Sequence, residues 1–389
     1  MREAVIVGAA RTPVGRARGK LAAVPAHCLG AIALKEAVAR SGIDQNEIEE
    51  VIFGNLFANE YANIARSVAL EAGFPYEIPA FTIDRQCASS LSALTLAAAL
   101  IGSGQADVVA AGGVESDSRR AYVMEKPSQA YQTVPPRWVE FMTAPVKEDC
   151  VSMVETAENV AKKFNISRED ADAFAAESHK KAAAAWEAGR FDSQIVPVAA
   201  PLGKGKTERI DRDESIRPDT TTETLAKLRP VLPGGTVVTA GNSSPMNDGA
   251  GALIVMEKEK AKALGLKIWG RFVAGAAAGL DPKIMGYGPV VATEKLLKKT
   301  GRTLDDIDLI EMNEAFATQS VACIRGLRMD VSKLNVNGGA IALGHPLAGT
   351  GAILVTKLLY EMERRDAGSG LVTFCIGGGQ GASVIIDRV

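Results

Sequence analysis

An internal repeat constrains the fold of this chain more than any other feature of its sequence. The segment DQNEIEEVIFGNLFA at 44–58 aligns with TLDDIDLIEMNEAFA at 303–317, and their first residues are 259 positions apart. GSGQADVVAAGGVE at 102–115 resembles AGSGLVTFCIGGGQ at 367–380 at about the same offset. Each unit has the pattern of a strand, an Ala-rich helix and a short buried strand that ends in glycines. We therefore expect two similar α/β halves, with right-handed crossovers, packed together.

A segment of different composition separates the two halves. It is rich in aromatic residues and prolines, and it contains charged helical stretches such as 167–189, where Ser167 predicts a helix start and Gly189 a stop. The apolar run AGALIVMEK at 250–258 predicts a return to the first sheet. The predicted organisation is an N-terminal half at 1–115, an insertion at 116–240, a return segment at 241–262 and a C-terminal half at 263–389.

Composition excludes several classes of function. The formal net charge is −2 and aromatic residues make up 5%, so neither a basic nucleic-acid surface nor a stacking platform is expected. The chain has no run of eighteen apolar residues and no signal-peptide pattern at its start, so no membrane association is expected. Five cysteines, an odd number, argue against a disulfide framework and for a reducing compartment. The sequence predicts a cytoplasmic α/β protein.

Cys87 lies where a strand-like segment meets a helix, in IDRQCASSLSALTLAAALIGSG at 83–104. The dipole and free N–H groups of a helix N-terminus favour a thiolate. An ordinary thiol, with a pKa of about 8.5, is only a few per cent ionised at pH 7, so a nucleophile here also needs a base. The alternative is a buried structural cysteine that caps a core helix.

His345, one of three histidines, lies among glycine-rich turns in NVNGGAIALGHPLAGTGA at 335–352. It precedes a proline at a predicted helix start, and the glycines allow close approach of a ligand. The alternative is a satisfied structural histidine. His27 and His179 lie in helical contexts without such surroundings, so we interpret them as ordinary surface or packing residues.

Asn313 and Cys375 each belong to a segment with strand character. Asn313, in EMNEAFATQ at 311–319, either caps the following helix or holds a water or a carbonyl oxygen near His345. Cys375, in FCIGGGQGAS at 374–383, is either a small core residue or a reactive group approached closely through the glycines.

Two further motifs imitate ligand sites and are rejected. GKGKT at 203–207 resembles the end of a phosphate-binding loop, but Ala200 stands where its first glycine belongs. DRDES at 211–215 lacks the glycine and the glutamate of a calcium loop. No Cys/His spacing fits a zinc site, so the sequence predicts no metal.

The combined motifs resemble the thiolase family in order and spacing. The segments that carry the resemblance are RQCASS around Cys87, NEAFA at 313–317, GGAIALGHPL at 338–347, CIGGGQG at 375–381, AGNSSPMNDGA at 240–250, IRPDTT at 216–221 and IMGYGP at 284–289. They run essentially end to end. The resemblance implies a layered αβαβα core of two duplicated α/β halves, with an inserted loop domain that covers the site for coenzyme A (CoA).

The resemblance also implies a role for each candidate. Cys87 attacks the thioester or ketone carbonyl and carries the acyl group. His345 activates Cys87 and, with a water held by Asn313, polarises a thioester oxygen. Cys375 moves the proton at the substrate α-carbon. Backbone N–H groups of Cys87 and Gly377 form the second oxyanion hole.

For CoA, the resemblance implies contacts from Ser244 at the pantetheine and Arg217 at the nucleotide end, with Met285 and Phe316 assigned to the same ligand. CoA and acyl-CoA are substrates, and no cofactor is implied. The chain departs from common thiolase patterns at five positions: Val154, Pro245, Ala348, Gly349 and Ile353.

The leading functional hypothesis is an acyl-CoA C-acyltransferase, a 3-ketoacyl-CoA thiolase that produces acetyl-CoA and a shortened acyl-CoA through an acyl-cysteine. The alternative is an acetyl-CoA C-acetyltransferase that condenses two acetyl-CoA molecules. A decarboxylating ketosynthase ranks lower because such enzymes generally lack the second cysteine motif, and a non-catalytic thiolase-like subunit ranks lower because all four reactive side chains are present. The resemblance implies a homodimer or homotetramer, with a β-oxidation partner subunit as a further option.

Overall fold

The computed structural model describes residues 2–131 and 134–389. The strands in this part of the chain are β1 Ala4–Arg11, β2 Gly15–Arg16, β3 Glu50–Gly54, β4 Ala80–Ile83, β5 Val108–Ser116, β6 Val198–Gly203, β7 Lys206–Ile210, β8 Asn247–Glu257, β9 Gly270–Gly279, β10 Leu309–Met312, β11 Ser369–Ile376 and β12 Gln380–Asp387. The α-helices are α1 Ala26–Ser41, α2 Ile64–Glu71, α3 Ser89–Ser103, α4 Met153–Lys163, α5 Arg168–Glu187, α6 Thr222–Ala226, α7 Lys258–Ala263, α8 Gly288–Thr300, α9 Ala317–Leu327, α10 Ala340–Leu343 and α11 Thr350–Arg365. Short 3-10 turns lie at Gln45–Glu47, Asp117–Arg119, Lys147–Asp149, Pro282–Tyr287, Leu304–Asp306 and Leu347–Gly349.

The two halves repeat one strand arrangement, which confirms the predicted duplicated α/β fold. In the first half, β3 pairs parallel with β5, β5 antiparallel with β8, and β8 antiparallel with β1. In the second half, β10 pairs parallel with β11, β11 antiparallel with β12, and β12 antiparallel with β9. Strand β8, which contains most of the run AGALIVMEK, pairs with β1 and β5 of the first half. Strands β1 and β9 join the halves through Val5–Arg271 and Ile6–Gly270.

The helices form three layers around the two halves of the sheet. Helix α1 covers the outer face of the first half through Leu29 and Leu34, and α8 covers the second through Val290 and Leu296. Helices α3 and α11 lie between the halves, where their side chains share one core with strand residues from both. This is the layer order that the resemblance implied.

Helix α3 has the composition of a helix buried on all sides. The window Gln86–Ser103 is, among the described residues, long and apolar enough to cross a membrane by length and composition alone, and 56% of it is buried inside the protein. Its polar residues interrupt any continuous apolar run, which is why the sequence did not single it out. Its place in the middle layer accounts for its composition.

The insertion contains α4, α5, α6 and the β6–β7 hairpin. The prediction of a helix start at Ser167 is confirmed: its hydroxyl accepts from the Asp170 N–H, and the Asp170 carboxylate accepts from the Ser167 N–H. The rejected GKGKT motif forms the turn of the β6–β7 hairpin. In the rejected DRDES motif, Asp213 forms a buried ion pair of 2.8 Å with Arg11. Both motifs therefore have structural explanations.

Candidate active site

A cavity of about 390 Å³ collects residues from both halves of the fold and from the insertion. Four of the predicted catalytic residues line it: Cys87, His345, Cys375 and Gly377. The fifth, Asn313, is completely buried behind His345, and its amide Nδ2 lies 3.3 Å from the His345 Nε2. The folded chain thus brings together motifs that are up to 288 residues apart in sequence, from Cys87 to Cys375.

Cys87 is held by a tight turn at the start of α3. Gln86, just before it, has a φ of 47°, a left-handed backbone conformation that is uncommon outside glycine. The turn is fixed by the Gln86 N–H, which donates to the Asp84 carboxylate at 2.7 Å, and by the Ser89 hydroxyl, which donates to the Gln86 carbonyl at 2.6 Å. Strain that is maintained by such hydrogen bonds is typical of a residue presented to a site.

Burial determines the acidity of Cys87. It raises the pKa of the Cys87 thiol to about 11, and the nearby Glu115 and Asp84 carboxylates act in the same direction. Hydrogen bonds from the backbone N–H groups of Gly377 and of Cys87 itself oppose this rise. The expectation from the sequence that the helix N-terminus favours a thiolate is therefore wrong, because desolvation of Cys87 outweighs the local dipoles. Formation of a nucleophilic thiolate at Cys87 therefore depends on a base that removes the thiol proton.

His345 has the hydrogen bonds of a neutral general base. Its Nδ1 lies 2.7 Å from the Thr350 hydroxyl, and its backbone N–H donates to the Asn247 amide oxygen at 2.8 Å. Burial lowers the pKa of His345 to about 4, so the ring is uncharged near pH 7. A ring that donates Nδ1–H to Thr350 keeps Nε2 as the acceptor, towards Asn313.

Asn313 does not cap a helix, so that alternative is wrong. It follows β10 directly, and its N–H donates to the Thr373 carbonyl at 3.0 Å, whereas α9 begins four residues later at Ala317, after its N-cap residue Phe316. The side-chain Oδ1 of Asn313 is buried and has no hydrogen-bond partner within the described part of the chain. A buried acceptor of this kind is costly unless a donor reaches it. Its predicted role in holding a water stays a prediction.

The three glycines after Cys375 form the turn between β11 and β12. Gly378 and Gly379 have φ values of 80° and 79°, and a Cβ on Gly379 would lie 2.4 Å from the Leu280 carbonyl oxygen. Their conformations and this close contact explain why the turn needs glycine. The turn places the Gly377 N–H at the Cys87 thiol. Cys375 is 1% exposed, and burial, together with the neighbouring Cys87, raises its pKa well above the ordinary value.

The predicted CoA contacts divide into two groups. Ser244, Met285 and Phe316 line the cavity, whereas Arg217 does not. Arg217 lies exposed in the loop after β7, and its backbone N–H donates to His179 Nδ1 at 3.2 Å. Its predicted contact with the nucleotide end of CoA stays a prediction. Two of the departures from common thiolase patterns, Val154 and Pro245, also line the cavity.

Several residues of the site were missed by sequence reasoning. Arg120 enters the cavity wall with its guanidinium 3.7 Å from the Phe57 ring centre and 5.4 Å from that of Phe141. These residues belong to separate segments, so no motif links them. Thr350 follows His345 by five residues in the same motif. A search of this motif for a side chain able to hydrogen-bond the histidine ring would have found it.

Glu115 is a further residue that sequence reasoning missed, and it is buried behind the cavity wall. It is 1% exposed, and its carboxylate accepts the backbone N–H groups of Leu56 and Phe57, each at 3.2 Å. Burial raises its pKa to about 8 in spite of these bonds. Because Leu56 and Phe57 both line the cavity, Glu115 fixes this part of its wall.

Comparisons with known proteins agree with this architecture. The family models described as thiolase, N-terminal domain and thiolase, C-terminal domain match residues 4–259 and 266–388. The acetyl-CoA acetyltransferase of Pseudomonas aeruginosa is 46% identical over 392 residues, with 100% of each chain covered. The solved structure of the Bacillus anthracis acetyl-CoA acetyltransferase is 41% identical with a TM-score of 0.95, and that of human mitochondrial 3-ketoacyl-CoA thiolase is 38% identical with a TM-score of 0.94. Each of these structures covers 100% of this chain, and the match covers 99% of each of theirs.

Proposed function

Because the chain belongs to the thiolase family, and is therefore an acyltransferase with CoA substrates, we propose that it is an acetyl-CoA C-acetyltransferase. The reaction joins two acetyl-CoA molecules into acetoacetyl-CoA and CoA, or runs in reverse. The observation that carries this proposal is the convergence of Cys87, His345, Cys375 and Gly377 on one cavity. Bacterial relatives named acetyl-CoA acetyltransferase support acetyl transfer over the longer-chain reaction that the sequence ranked first.

In the proposed mechanism, Cys87 forms the covalent intermediate. His345 Nε2 accepts the proton of the Cys87 thiol while Sγ attacks the acetyl-CoA carbonyl. CoA then leaves as its thiol, with the proton that His345 donates to its sulfur. With a pKa of about 11 for Cys87 and about 4 for His345, we expect the proton to move during attack rather than before substrate binds. The N–H groups of Cys87 and Gly377 stabilise the oxyanion, and one such donor typically contributes about 10²–10³ in rate.

Cys375 performs the second half of the proposed reaction. His345, neutral again once CoA has left, takes the proton of the Cys375 thiol, and the Cys375 thiolate removes a proton from the α-carbon of the second acetyl-CoA. The resulting carbanion attacks the acetyl-Cys87 carbonyl. A new carbon–carbon bond forms, and the Cys87 thiolate leaves and regains its proton from His345. In the direction of cleavage, the Cys375 thiol returns the proton to the departing carbanion. The two cysteines line one cavity, where Cys375 is buried and Cys87 is partly exposed, and this supports the division of roles.

A 3-ketoacyl-CoA thiolase is the second candidate. It is favoured by the apolar side chains that dominate the cavity wall, among them Phe57, Phe141, Met153, Val154 and Leu347, which are able to surround an acyl chain. Thiolysis of 3-ketoacyl-CoAs from four to sixteen carbons separates the candidates. A kcat/KM that is highest for the four-carbon substrate supports the acetyltransferase, and a maximum at longer chains contradicts it.

We further infer that the insertion covers bound CoA. Asp117, Arg120, Phe141 and Val154 come from the predicted insertion 116–240 and line the cavity. Saturating CoA should therefore slow limited proteolysis within 116–240, and an unchanged rate would contradict the covering role. We also propose that the protein is a homodimer or homotetramer, which light scattering of the purified protein tests. We propose a cytoplasmic location, which fractionation of cells tests.

A further inference from the structure

A second cluster of reactive side chains lies between the first turn of α1 and the end of α2. His27, Cys28 and Glu71 each direct one potential metal ligand towards the others, and these three atoms lie within 4.8 Å of one another. None of the three residues lines the catalytic cavity. We propose that His27, Cys28 and Glu71 bind a divalent cation of the zinc type.

The distances between the donor atoms fit a tetrahedral ion. With Zn–S near 2.3 Å and Zn–N near 2.0–2.1 Å, tetrahedral angles place the sulfur and nitrogen ligands about 3.6 Å apart and the nitrogen and oxygen ligands about 3.3 Å apart. Cys28 Sγ lies 3.4 Å from His27 Nε2, and Glu71 Oε2 lies 4.0 Å from the same nitrogen. All three donor atoms lie within 4.8 Å of one another, so a small movement of the Glu71 carboxylate completes the three-ligand set.

Tyr61 supplies the outer contact that metal-binding histidines usually have. Its hydroxyl lies 2.5 Å from His27 Nδ1, and the two rings pack with their centres 4.9 Å apart. A hydrogen bond at Nδ1 fixes the ring orientation and leaves Nε2 as the nitrogen that faces Cys28 and Glu71. The imidazole is thus already oriented as a ligand.

The scaffold holds two ligands firmly and leaves the third adjustable. Leu29, next to Cys28, is completely buried, and Val68 and Ala69 bury α2 against the same core. The Glu71 side chain is 49% exposed and the His27 side chain 21% exposed, so the carboxylate is able to move and an ion has access from solvent. A fourth position remains for a water or an external ligand.

The chemistry of the donors selects the class of ion. One thiolate, one imidazole and one carboxylate suit zinc and its neighbours, whereas calcium and magnesium prefer oxygen ligands alone. The ion would join the start of α1 to the end of α2 and so stabilise the folded chain. The Cys/His spacing rules did not find this site because its third ligand comes from a helix distant in the chain.

Cobalt(II) titration of the metal-free, full-length protein tests the proposal. We carry it out in a Cys87→Ala background, which removes the catalytic thiol as a competing ligand. One Co²⁺ per chain should bind, with a thiolate-to-cobalt charge-transfer band that Zn²⁺ abolishes by displacement. Tyr61→Phe should weaken binding by roughly 10- to 100-fold, the usual effect of losing an outer contact.

Matched variants locate the ion. Cys28→Ser should remove the charge-transfer band. Glu71→Gln should weaken Co²⁺ binding at least about tenfold, and it leaves the core unchanged because Glu71 is at an exposed position. Cys150→Ser, at another partly exposed cysteine, should leave the band and the affinity unchanged. A band that survives Cys28→Ser, or no Co²⁺ binding up to millimolar concentration, would overturn the proposal. Thiolase activity is not the readout, so failure here is distinguishable from failure of the proposed function.

Discussion

Replacing Cys375 by serine should separate acetyl transfer to Cys87 from carbon–carbon chemistry. Cys375 lies in β11, opposite Gly381 of β12, and the smaller serine fits the same backbone and leaves the glycine turn intact. General acid–base catalysis contributes about 10²–10⁴ in rate, and a serine hydroxyl is a far weaker base than a thiolate. We therefore expect acetoacetyl-CoA thiolysis to fall by about 10²–10⁴, which corresponds to roughly 3–5 kcal/mol of activation free energy at 1.36 kcal/mol per factor of ten.

The same substitution should cost only a modest amount of unfolding free energy. A hydroxyl at a site that is 1% exposed costs about 1–3 kcal/mol of unfolding free energy when it lacks a good partner. Cys323→Ser is the matched control, because Cys323 is also fully buried, its thiol donates to the Gly286 carbonyl at 3.3 Å, and it does not line the cavity. We expect this control to lose similar stability and to keep near-normal thiolysis.

Two assays decide the outcome. Intact mass after incubation with acetyl-CoA should still show one acetyl group on Cys375→Ser, because that step needs only Cys87, its base and the oxyanion hole. Steady-state thiolysis measures the carbon–carbon step. If Cys375→Ser cleaves acetoacetyl-CoA at close to the normal rate, Cys375 is a packing residue and the proposed proton transfer is wrong.

Three further predictions concern the nucleophile, the base and the contact between the central helices. Peptide mapping after acetyl-CoA treatment should place the acetyl group on Cys87, and labelling of another residue with Cys87 unmodified would reverse the assignment. The pKa of His345 is about 4 in the folded chain and about 6.5 for an ordinary histidine. As the pH decreases, the unfolded chain therefore binds a proton at this position before the folded chain does. The free energy of unfolding should fall by up to about 3 kcal/mol between about pH 6.5 and about pH 4. His345→Gln should weaken this pH dependence, measured by urea denaturation. Some dependence of the same sign should remain, because burial also lowers the pKa of His179 to about 4. An unchanged pH profile of stability would contradict a neutral, buried His345 ring. Gly351→Ala should slow acetylation and thiolysis together, because the new Cβ would lie 2.4 Å from a backbone nitrogen of α3. Gly102→Ala is the control and should be nearly neutral, because its Cβ would meet nothing closer than 3.7 Å. Equal activity of the two variants would show that the contact between the helices does not position the site.

The fold was predictable because its main signals are local or repeated. The offset between 44–58 and 303–317 needs no knowledge of tertiary contacts, and the structure places β3 and β10 at equivalent positions in the two halves. The start of α5 was predictable from Ser167 and the acidic residues after it, since a capping box is a local interaction.

The parts that were not predictable depend on contacts between distant segments. Glu115 binds the chain at Leu56 and Phe57, and Arg120 stacks on Phe57, but neither relation leaves a spacing in the sequence. The acidity of Cys87 was predicted in the wrong direction for a similar reason. The helix start is visible in the sequence, whereas the burial that outweighs it is a property of the assembled cavity.

Duplication explains how two distant motifs form one reaction centre. Cys87 precedes α3 and His345 precedes α11, and these helices occupy equivalent positions in the two halves and pack on each other in the middle layer. The contact is close because Gly351 of α11 has no side chain to separate it from the α3 backbone, and the Ala352 N–H donates to the Ser90 hydroxyl at 3.0 Å. The starts of both helices therefore reach the same cavity, and a displacement of about 1 Å between them is enough to cost about 10²-fold in rate. The relation between nucleophile and base is thus set by the packing of two core helices, at residues that do not line the cavity.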